Sequence, residues 1–368
     1  MPPAARKRRF RSGRAATGPF TAGRVMLGGC PSAFNAIVAW DGDAVRYLDQ
    51  RRLPHEIRYE QARTAQEIAD AIATLAVRGA PCIGLFAAYG IALLRRTIAG
   101  DAAFLEAAHG VREARPTAVN LAWAVDRVLA ADDALEEAHA IAREQIAIDA
   151  AIAANGLELV PKGARILTHC NTGPLATGAG GTATGVIIAA QRAGKKPRAY
   201  TTETRPLLQG ARLNYFELRE AGVDTVLIAD SAAAIAIKER GIDLAIVGAD
   251  RIARNGDVAN KIGTYNLAIL CAHHGIPFYV AAPRSTFDLT IAGGRDIPIE
   301  ERAAVEVAEF RGVRVAPEGA VVYNPAFDVT PGHLVSAFVT EYGILRPPYG
   351  ESVPSLEFRP SAAVLGAQ

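Results

Sequence analysis

From about Lys162 the chain alternates short apolar runs with helical segments, and this alternation constrains the fold more than any other feature. Strands are read at Ile166–His169, Ala199–Thr202, Thr225–Ala229, Leu244–Gly248, Pro277–Ala281 and Val313–Ala316. Helices are read between them at Thr184–Ala193, Pro206–Ala221, Ser231–Arg240 and Lys261–His274. Strands and helices in this order predict a parallel sheet covered on both faces, with right-handed crossovers. Ligands of such sheets bind beyond the carboxyl ends of the strands. Polar clusters stand at those ends: HCNTG after the first strand, TETRP after the second, then AD-S, GAD-R and AP-R.

The preceding segment reads differently. Ala36–Asp49 is two strand-like runs around Asp41-Gly42, a hairpin signal. Helical patterns follow at about Thr64–Val77, Ile83–Arg96, Ala118–Ala131 and Asp133–Asn155, the first carrying an apolar stripe of Ile68, Ala71, Ile72, Leu75 and Ala76. The expected fold class is therefore α/β, a small N-terminal hairpin-plus-helical domain followed by a Rossmann-like parallel-sheet domain. The expected limits are 1–24 for a disordered basic extension, 25–158 for the N-terminal helical domain, 159–346 for the α/β catalytic domain and 347–368 for a C-terminal tail. A helix is expected at His333–Tyr342, and the proline-bearing residues after Arg346 are expected on the surface or disordered.

Composition excludes several classes. With 50% hydrophobic and 21% charged residues the chain of 368 residues can bury a large core, and its net charge of +2 makes no case for nucleic acid. No apolar stretch approaches the roughly 18 uninterrupted residues of a membrane helix, so no membrane partner is expected. Cys30, Cys82, Cys170 and Cys271 form no CxxC pair and no zinc spacing, which suits reduced thiols in a cytoplasmic location. Arg6, Lys7, Arg8, Arg9, Arg11 and Arg14 crowd the first residues, but without the apolar run of a secretory signal.

The stretch Ala164–Gly194 reads as strand, glycine-rich turn and helix, with Cys170 at the strand end. Backbone N–H groups around Gly173, Gly178, Gly180 and Gly181 can crowd around an anion, helped by the partial positive charge of the following helix N-terminus. The same setting is expected to lower the Cys170 pKa and favour its thiolate, whereas Cys271 reads as a buried apolar side chain. Asp250 closes the apolar run LAIVGAD, where partial desolvation raises a carboxyl pKa and suits a general acid. Asp230 looks like a helix cap. Arg78, Arg115, Arg205, Arg212 and Lys261 recur beside Gly79, Pro116, Pro206 and Gly263, a pattern that favours anchoring of a phosphate. Gln209 and Asn260 can hydrogen-bond sugar hydroxyls or cap backbone. No lysine occurs in the Gly173–Gly185 turn, which rules out a Walker loop. A dinucleotide fingerprint is met by Gly178, Gly180 and Ala183 with Glu203 as the ribose acid, though the loop before Gly178 is long for it.

Taken together, RGAP(C)IG, RPTAVNL, ILTHCNTG, GTATGVI, ETRPLLQGARL, VGADRI, NGDVANKIGTYNLA and NPAFDVTP resemble the methylthioribose-1-phosphate isomerase family over about Gly28–Leu345. That family is related to regulatory subunits of the translation factor that exchanges guanine nucleotide. The resemblance implies Cys170 and Asp250 as the catalytic pair, and Arg78, Gly79, Ala80, Arg115, Gln209, Asn260 and Lys261 as substrate contacts. It implies an aldose–ketose isomerase of a sugar 1-phosphate in methionine salvage, acting without cofactor or metal as a homodimer in the cytoplasm. Ribose 1,5-bisphosphate or 5-deoxyribose 1-phosphate as substrate stays open, as does a non-catalytic regulatory relative, which is expected to lack the cysteine and the acid. Cys82 stands where the family pattern leads us to expect alanine. Proton transfer and hydride shift both remain available at this level.

Overall fold

The computed structural model of the chain describes residues 37–115 and 119–358, with backbone alone for 357 and 358. The basic stretch 1–24 lies outside the described residues. The described chain is a mixed α/β fold with a parallel-rich central sheet.

The N-terminal part opens on an antiparallel sheet of β1 (Val38–Trp40), β2 (Val45–Leu48) and β3 (Tyr59–Ala62), with β1 and β2 turned by Asp41-Gly42 as the hairpin signal required. β3 was missed, because Tyr-Glu-Gln-Ala carries almost no apolar alternation. Helix α1 (Ala65–Ala73) starts at a capping box in which the Thr64 hydroxyl accepts from Glu67 N and the Glu67 carboxylate accepts from Thr64 N. Helix α2 (Ala80–Thr97) is buried continuously from Cys82 to Leu94 and forms the centre of this part. Helices α3 (Asp101–Arg112), α4 (Val119–Leu129) and α5 (Ala134–Leu157) pack around it. Helix α3 was also missed, although Phe104, Ala108 and Val111 line one buried face.

The central sheet follows from β4 (Arg165–Thr168), α6 (Ala183–Arg192), β5 (Arg198–Thr202), α7 (Tyr215–Glu220), β6 (Asp224–Ile228), α8 (Ala233–Arg240) and β7 (Leu244–Val247). A π-helical turn, Gly210–Asn214, precedes α7. Next comes a hairpin of β8 (Arg251–Ala253) and β9 (Val258–Lys261), then α9 (Thr264–His274), β10 (Phe278–Ala281) and β11 (Phe287–Asp288). The chain continues through β12 (Glu309–Phe310), β13 (Val313–Arg314), β14 (Phe327–Thr330), β15 (Ala337–Thr340) and β16 (Gly343–Leu345). The main sheet has the order β16-β15-β10-β7-β4-β5-β6 and is parallel except for β16. From β4 the chain steps outward through β5 and β6, then returns to β7 on the other side of β4. The carboxyl ends of β4 and β7 therefore flank the point where the winding reverses. A second sheet, β11-β8-β9-β14, stands beyond those ends.

Three expectations are corrected. Val313–Ala316 is no strand of the main sheet; β13 pairs with β12 in a small ribbon, and Val313 and Val315 are exposed. The expected helix His333–Tyr342 is a short 3-10 turn followed by β15, every residue of which is buried. A four-residue run buried on both faces has no periodicity to distinguish strand from helix. Part of the chain after Arg346 enters the core: Tyr349, Val353 and Leu356 are buried, Tyr349 stacks edge-on to Phe338, and its hydroxyl donates to Val335 O at 3.0 Å.

Phe338 is fully buried among Phe287, Tyr349 and the apolar face below α9. Phe338→Ala is expected to lower the unfolding free energy by about 3–5 kcal/mol, read by urea denaturation. A surface helix at 333–342 would give almost no change.

Candidate active site

The cysteine of HCNTG stands two residues beyond β4, and Asp250 three residues beyond β7, its neighbour in the sheet. Both line one cavity of about 350 Å³, together with Arg78, Gly79, Ala80, Arg115, Gln209, Asn260 and Lys261. Every residue singled out from the family resemblance thus opens on the same space. They arrive from four directions. Arg78, Gly79 and Ala80 come from the start of α2, and Arg115 from the segment between α3 and α4. Gln209 comes from the turn before the π-helical stretch, and Asn260 and Lys261 from the end of β9.

Close packing decides what occupies the α2 start. Gly79 has φ +92°, and a Cβ there would lie 2.2 Å from Ala176 O, so only glycine lets the two loops meet. The helix that follows directs its N-terminal end at the cavity. Lys261 Nζ donates to Ala326 O at 3.0 Å and lies 4.6 Å from the centre of the Phe327 ring. Arg78 Nη1 donates to Asn171 Oδ1. Gln209 is buried, and its Oε1 has no partner within the protein, an acceptor left for a ligand hydroxyl. The Asn260 side chain donates to Thr264 Oγ1 at 3.0 Å.

Burial pushes the charged groups of the site toward neutrality, and their mutual attraction pulls them back. Asp250 lines the cavity and is solvent-exposed within it; desolvation by the surrounding walls raises its pKa, opposed by Lys261, Arg115 and Arg78. Burial lowers the pKa of Lys261, opposed by Cys170 and Asp250. Desolvation likewise lowers Arg115. Cys170 corrects the sequence expectation: desolvation raises its thiol above the ordinary range, and Arg78 and Lys261 recover only part of that. The glycine turn does not supply the missing stabilisation. Gly180 N and Gly181 N both donate to the Asp149 carboxylate of α5 at 2.8 Å, so two of the amides expected to face an anion are held by the protein's own. The same bonds withdraw Gly178–Ala183 from service as a dinucleotide cradle.

Other singled-out residues hold the scaffold. Arg212 Nη2 donates to Gln50 O at 2.8 Å, and Arg205 donates to Val307 O at 3.2 Å while stacking on Phe310; neither lines the cavity. Asp230 does not cap its helix but accepts from Thr204 N and Arg205 N at 2.7 Å, fixing the TETRP loop. Cys271 is buried as expected. His273 and His274 stack on each other at the end of α9, and no metal-ligand cluster occurs among the described residues. The sequence reading missed His169, whose Nε2 donates to Ile262 O and whose Nδ1 accepts from Thr202 Oγ1. Thr204 Oγ1 is 3.2 Å from that hydroxyl and accepts from Cys170 N at 3.0 Å, so the chain of bonds returns to the thiol's own backbone. Arg302 and Glu300, from the excursion between β11 and β14, also line the cavity. No local motif marks them.

The fold and this site define an α/β protein with a polar cavity at its topological switch point. Residues 76–347 match the Initiation factor 2 subunit family. Methylthioribose-1-phosphate isomerases of Desulforudis audaxviator and Pelotomaculum thermopropionicum are each 51% identical over 331 and 334 residues, covering 85% of this chain and 95% and 92% of theirs. The crystal structure of 5-methylthioribose 1-phosphate isomerase from Pyrococcus horikoshii superposes with a TM-score of 0.82 at 40% identity, covering 88% of this chain and 95% of that one. The structure titled translation initiation factor eIF-2B, subunit delta, from A. fulgidus gives 0.77 at 42% identity, covering 87% and 99%. The chain belongs to the methylthioribose-1-phosphate isomerase family, within the wider initiation factor 2 subunit family.

Because Lys261 helps to hold the Cys170 thiolate, Lys261→Met raises the thiol pKa further. Alkylation of Cys170 by iodoacetamide near pH 8, followed by peptide mass spectrometry, is expected to slow about three- to tenfold. An unchanged rate would separate the two side chains.

Proposed function

We propose that the protein isomerises 5-methylthioribose 1-phosphate to 5-methylthioribulose 1-phosphate, with Asp250 as acid and Cys170 as proton shuttle. The observation that carries this reading is the meeting of a buried thiol and a desolvated carboxyl over one cavity lined by Arg78, Arg115 and Lys261. The phosphate ester at C1 blocks spontaneous ring opening, so the ring oxygen must be protonated as its bond to C1 breaks. A carboxyl whose pKa desolvation raises is suited to deliver that proton. The Cys170 thiolate, present in the fraction that Arg78 and Lys261 sustain, removes the proton from C2, and an enol phosphate forms between C1 and C2. The Asp250 carboxylate then takes the C2 hydroxyl proton as the ketone forms, and the Cys170 thiol returns its proton to C1. One proton has moved from C2 to C1 and one from the C2 hydroxyl to the ring oxygen, leaving both side chains as they began.

Arg78, Arg115, Lys261 and the α2 N-terminus with Gly79 and Ala80 hold the phosphate, while Gln209 and Asn260 meet the sugar hydroxyls. The charge inventory favours one phosphate over two. Of the five cations on the cavity wall, Arg251 faces Asp288 at 3.7 Å and Arg302 is bonded to Glu300 and Glu306. Leu75, Ile83, Leu207, Ile297 and Phe327 also line the space, which suits an apolar group at C5 better than a second phosphate. We read the enzyme as a homodimer; sedimentation equilibrium is expected to give the mass of two chains.

Turnover of 5-methylthioribose 1-phosphate, 5-deoxyribose 1-phosphate and ribose 1,5-bisphosphate by the purified protein tests the reading. The methylthio sugar is expected to have the highest kcat/KM, and Cys170→Ser and Asp250→Asn to lower kcat by about 10²–10⁴. Reaction in D2O is expected to place solvent deuterium at product C1. Full activity in either variant would remove the assignment, and absence of turnover on all three sugars would leave a non-catalytic relative.

A further inference from the structure

Behind the cavity wall lies a carboxylate that the mechanism does not use. Glu217 on α7 has 0% exposure. Its Oε1 accepts from Leu175 N at 2.6 Å, and its Oε2 accepts from Asn171 Nδ2. Asn171 Oδ1 accepts in turn from Arg78 Nη1 at 2.5 Å. A Cβ at Gly173 would lie 2.4 Å from Glu217 Oε2, so the loop after Cys170 makes room for this carboxylate and no more. The result is one line of donors and acceptors from the interior to the cavity.

We propose that Glu217 is a positioning residue: its two acceptor oxygens force Asn171 to turn Oδ1 toward Arg78, which holds the guanidinium at the cavity wall. This rests on the reading of Arg78 as a phosphate contact. The argument is one of donor and acceptor parity. An ionised carboxylate has no hydrogen to donate, so it meets both Leu175 N–H and the Asn171 amide NH2. A glutamine at 217 can serve only one of them with its oxygen. If that oxygen takes Leu175 N–H, its NH2 faces Asn171, which must flip and set its own NH2 against Arg78. If the glutamine flips instead, its NH2 opposes Leu175 N–H. Either arrangement buries two donors against each other.

Protonation of Glu217 creates the same conflict, because one oxygen becomes a donor. Burial pushes this carboxyl up to about 7, opposed by Leu175 N–H, Asn171 and Arg78. The other titratable group facing it is Cys82 on α2, a thiol that burial pushes up to about 12 and that stays neutral throughout. The competent, ionised form is therefore present above about pH 7 and is lost as pH falls through that value.

The test compares wild type with Glu217→Gln in turnover of 5-methylthioribose 1-phosphate and in calorimetric binding of ribose 5-phosphate. Near pH 8, KM and the ribose 5-phosphate Kd are each expected to rise about tenfold in Glu217→Gln, with a smaller fall in kcat through the weakened hold of Arg78 on the Cys170 thiolate. The wild-type KM is expected to rise several-fold from about pH 8 to about pH 6, beyond any rise in the variant. In an Arg78→Ala background Glu217→Gln is expected to add nothing, since the line then ends on no guanidinium. Asn171→Ala, which cuts the line at its middle, is expected to reproduce the KM change and supports the test should Glu217→Gln fail to fold. An unchanged KM and Kd in the variant that folds, or an equal loss in the Arg78→Ala background, would overturn the proposal. A wild type without turnover would remove the isomerase reading alone, and calorimetry would still decide whether Glu217 acts through Arg78.

Discussion

A buried carboxylate on α5 closes the first loop of the parallel sheet, and the cavity depends on that closure. Asp149 is fully enclosed; it accepts from Gly180 N, Gly181 N and Gln145 Nε2, each at 2.8 Å. Desolvation raises its pKa and these bonds oppose the rise. Removing the carboxylate would leave Gly180 N without an acceptor, at about 1–3 kcal/mol, and Gly181 N with only the Thr177 hydroxyl at 3.0 Å. The bond also joins two regions that are far apart in sequence. Helix α5 packs on α2 at one side and on α6 at the other, where Gly156 leaves room for Val186, and Asn155 reaches Thr340 O at the end of β15. Arg78 and Arg115 can thus stand above strand ends to which they are not connected by any short segment.

With the glycine turn engaged internally, the electrostatics of the cavity fall to its other walls. Arg115, Lys261, a carboxyl and a thiol share a space in which burial pushes each toward its uncharged form. Burial alone moves Lys261 toward its neutral amine, Asp250 toward its acid and Cys170 toward its thiol. The attraction between Lys261 and the two acids resists that outcome for all three at once. A phosphate entering the cavity adds negative charge, which strengthens the hold on protons at Asp250 and at Lys261. The same charge works against a thiolate at Cys170. The cations must therefore be divided between the substrate and the sulfur, and Arg78 and Lys261 are the two that reach both.

The parallel strands were legible because each is an apolar run followed by a polar cluster, and Cys170 and Asp250 were legible because they begin such clusters. The hairpin β8–β9 was not read, although Asn255-Gly256 is the same kind of turn signal as Asp41-Gly42. Its strands have three and four residues, and Val258–Lys261 runs directly into the α9 pattern. Lys261 was therefore assigned to a helix start when it ends a strand paired with Phe327. Asp149 and Glu217 were invisible for a different reason. Each sits in a helix as one acid among other polar residues, and only the approach of a distant loop makes it a buried acceptor. Arg205 and Arg212 erred in the opposite direction, since an arginine beside a turn serves backbone carbonyls as readily as a phosphate. The buried, unpaired oxygen of Gln209 is a property no sequence pattern encodes.

The family includes relatives titled as isomerases and others titled as translation factor subunits, so the fold by itself does not choose a function. The choice has to come from features that a scaffold alone would not require. Cys170 is one of them. It is held at φ +62°, a left-handed conformation that costs a non-glycine residue of order 1–3 kcal/mol. Its amide is bonded to Thr204, itself at φ +62°, and that hydroxyl lies within reach of Thr202 and so of His169. Glycine at 170 would relieve the strain and an apolar residue would fill the space at less desolvation cost. Instead the loop is bent by a set of buried hydroxyls and an imidazole so that a thiol ends beside two cations and a carboxyl. Strain and buried polarity spent on the aim of one sulfur atom are difficult to account for in a protein that only binds a partner, and they favour chemistry at that atom.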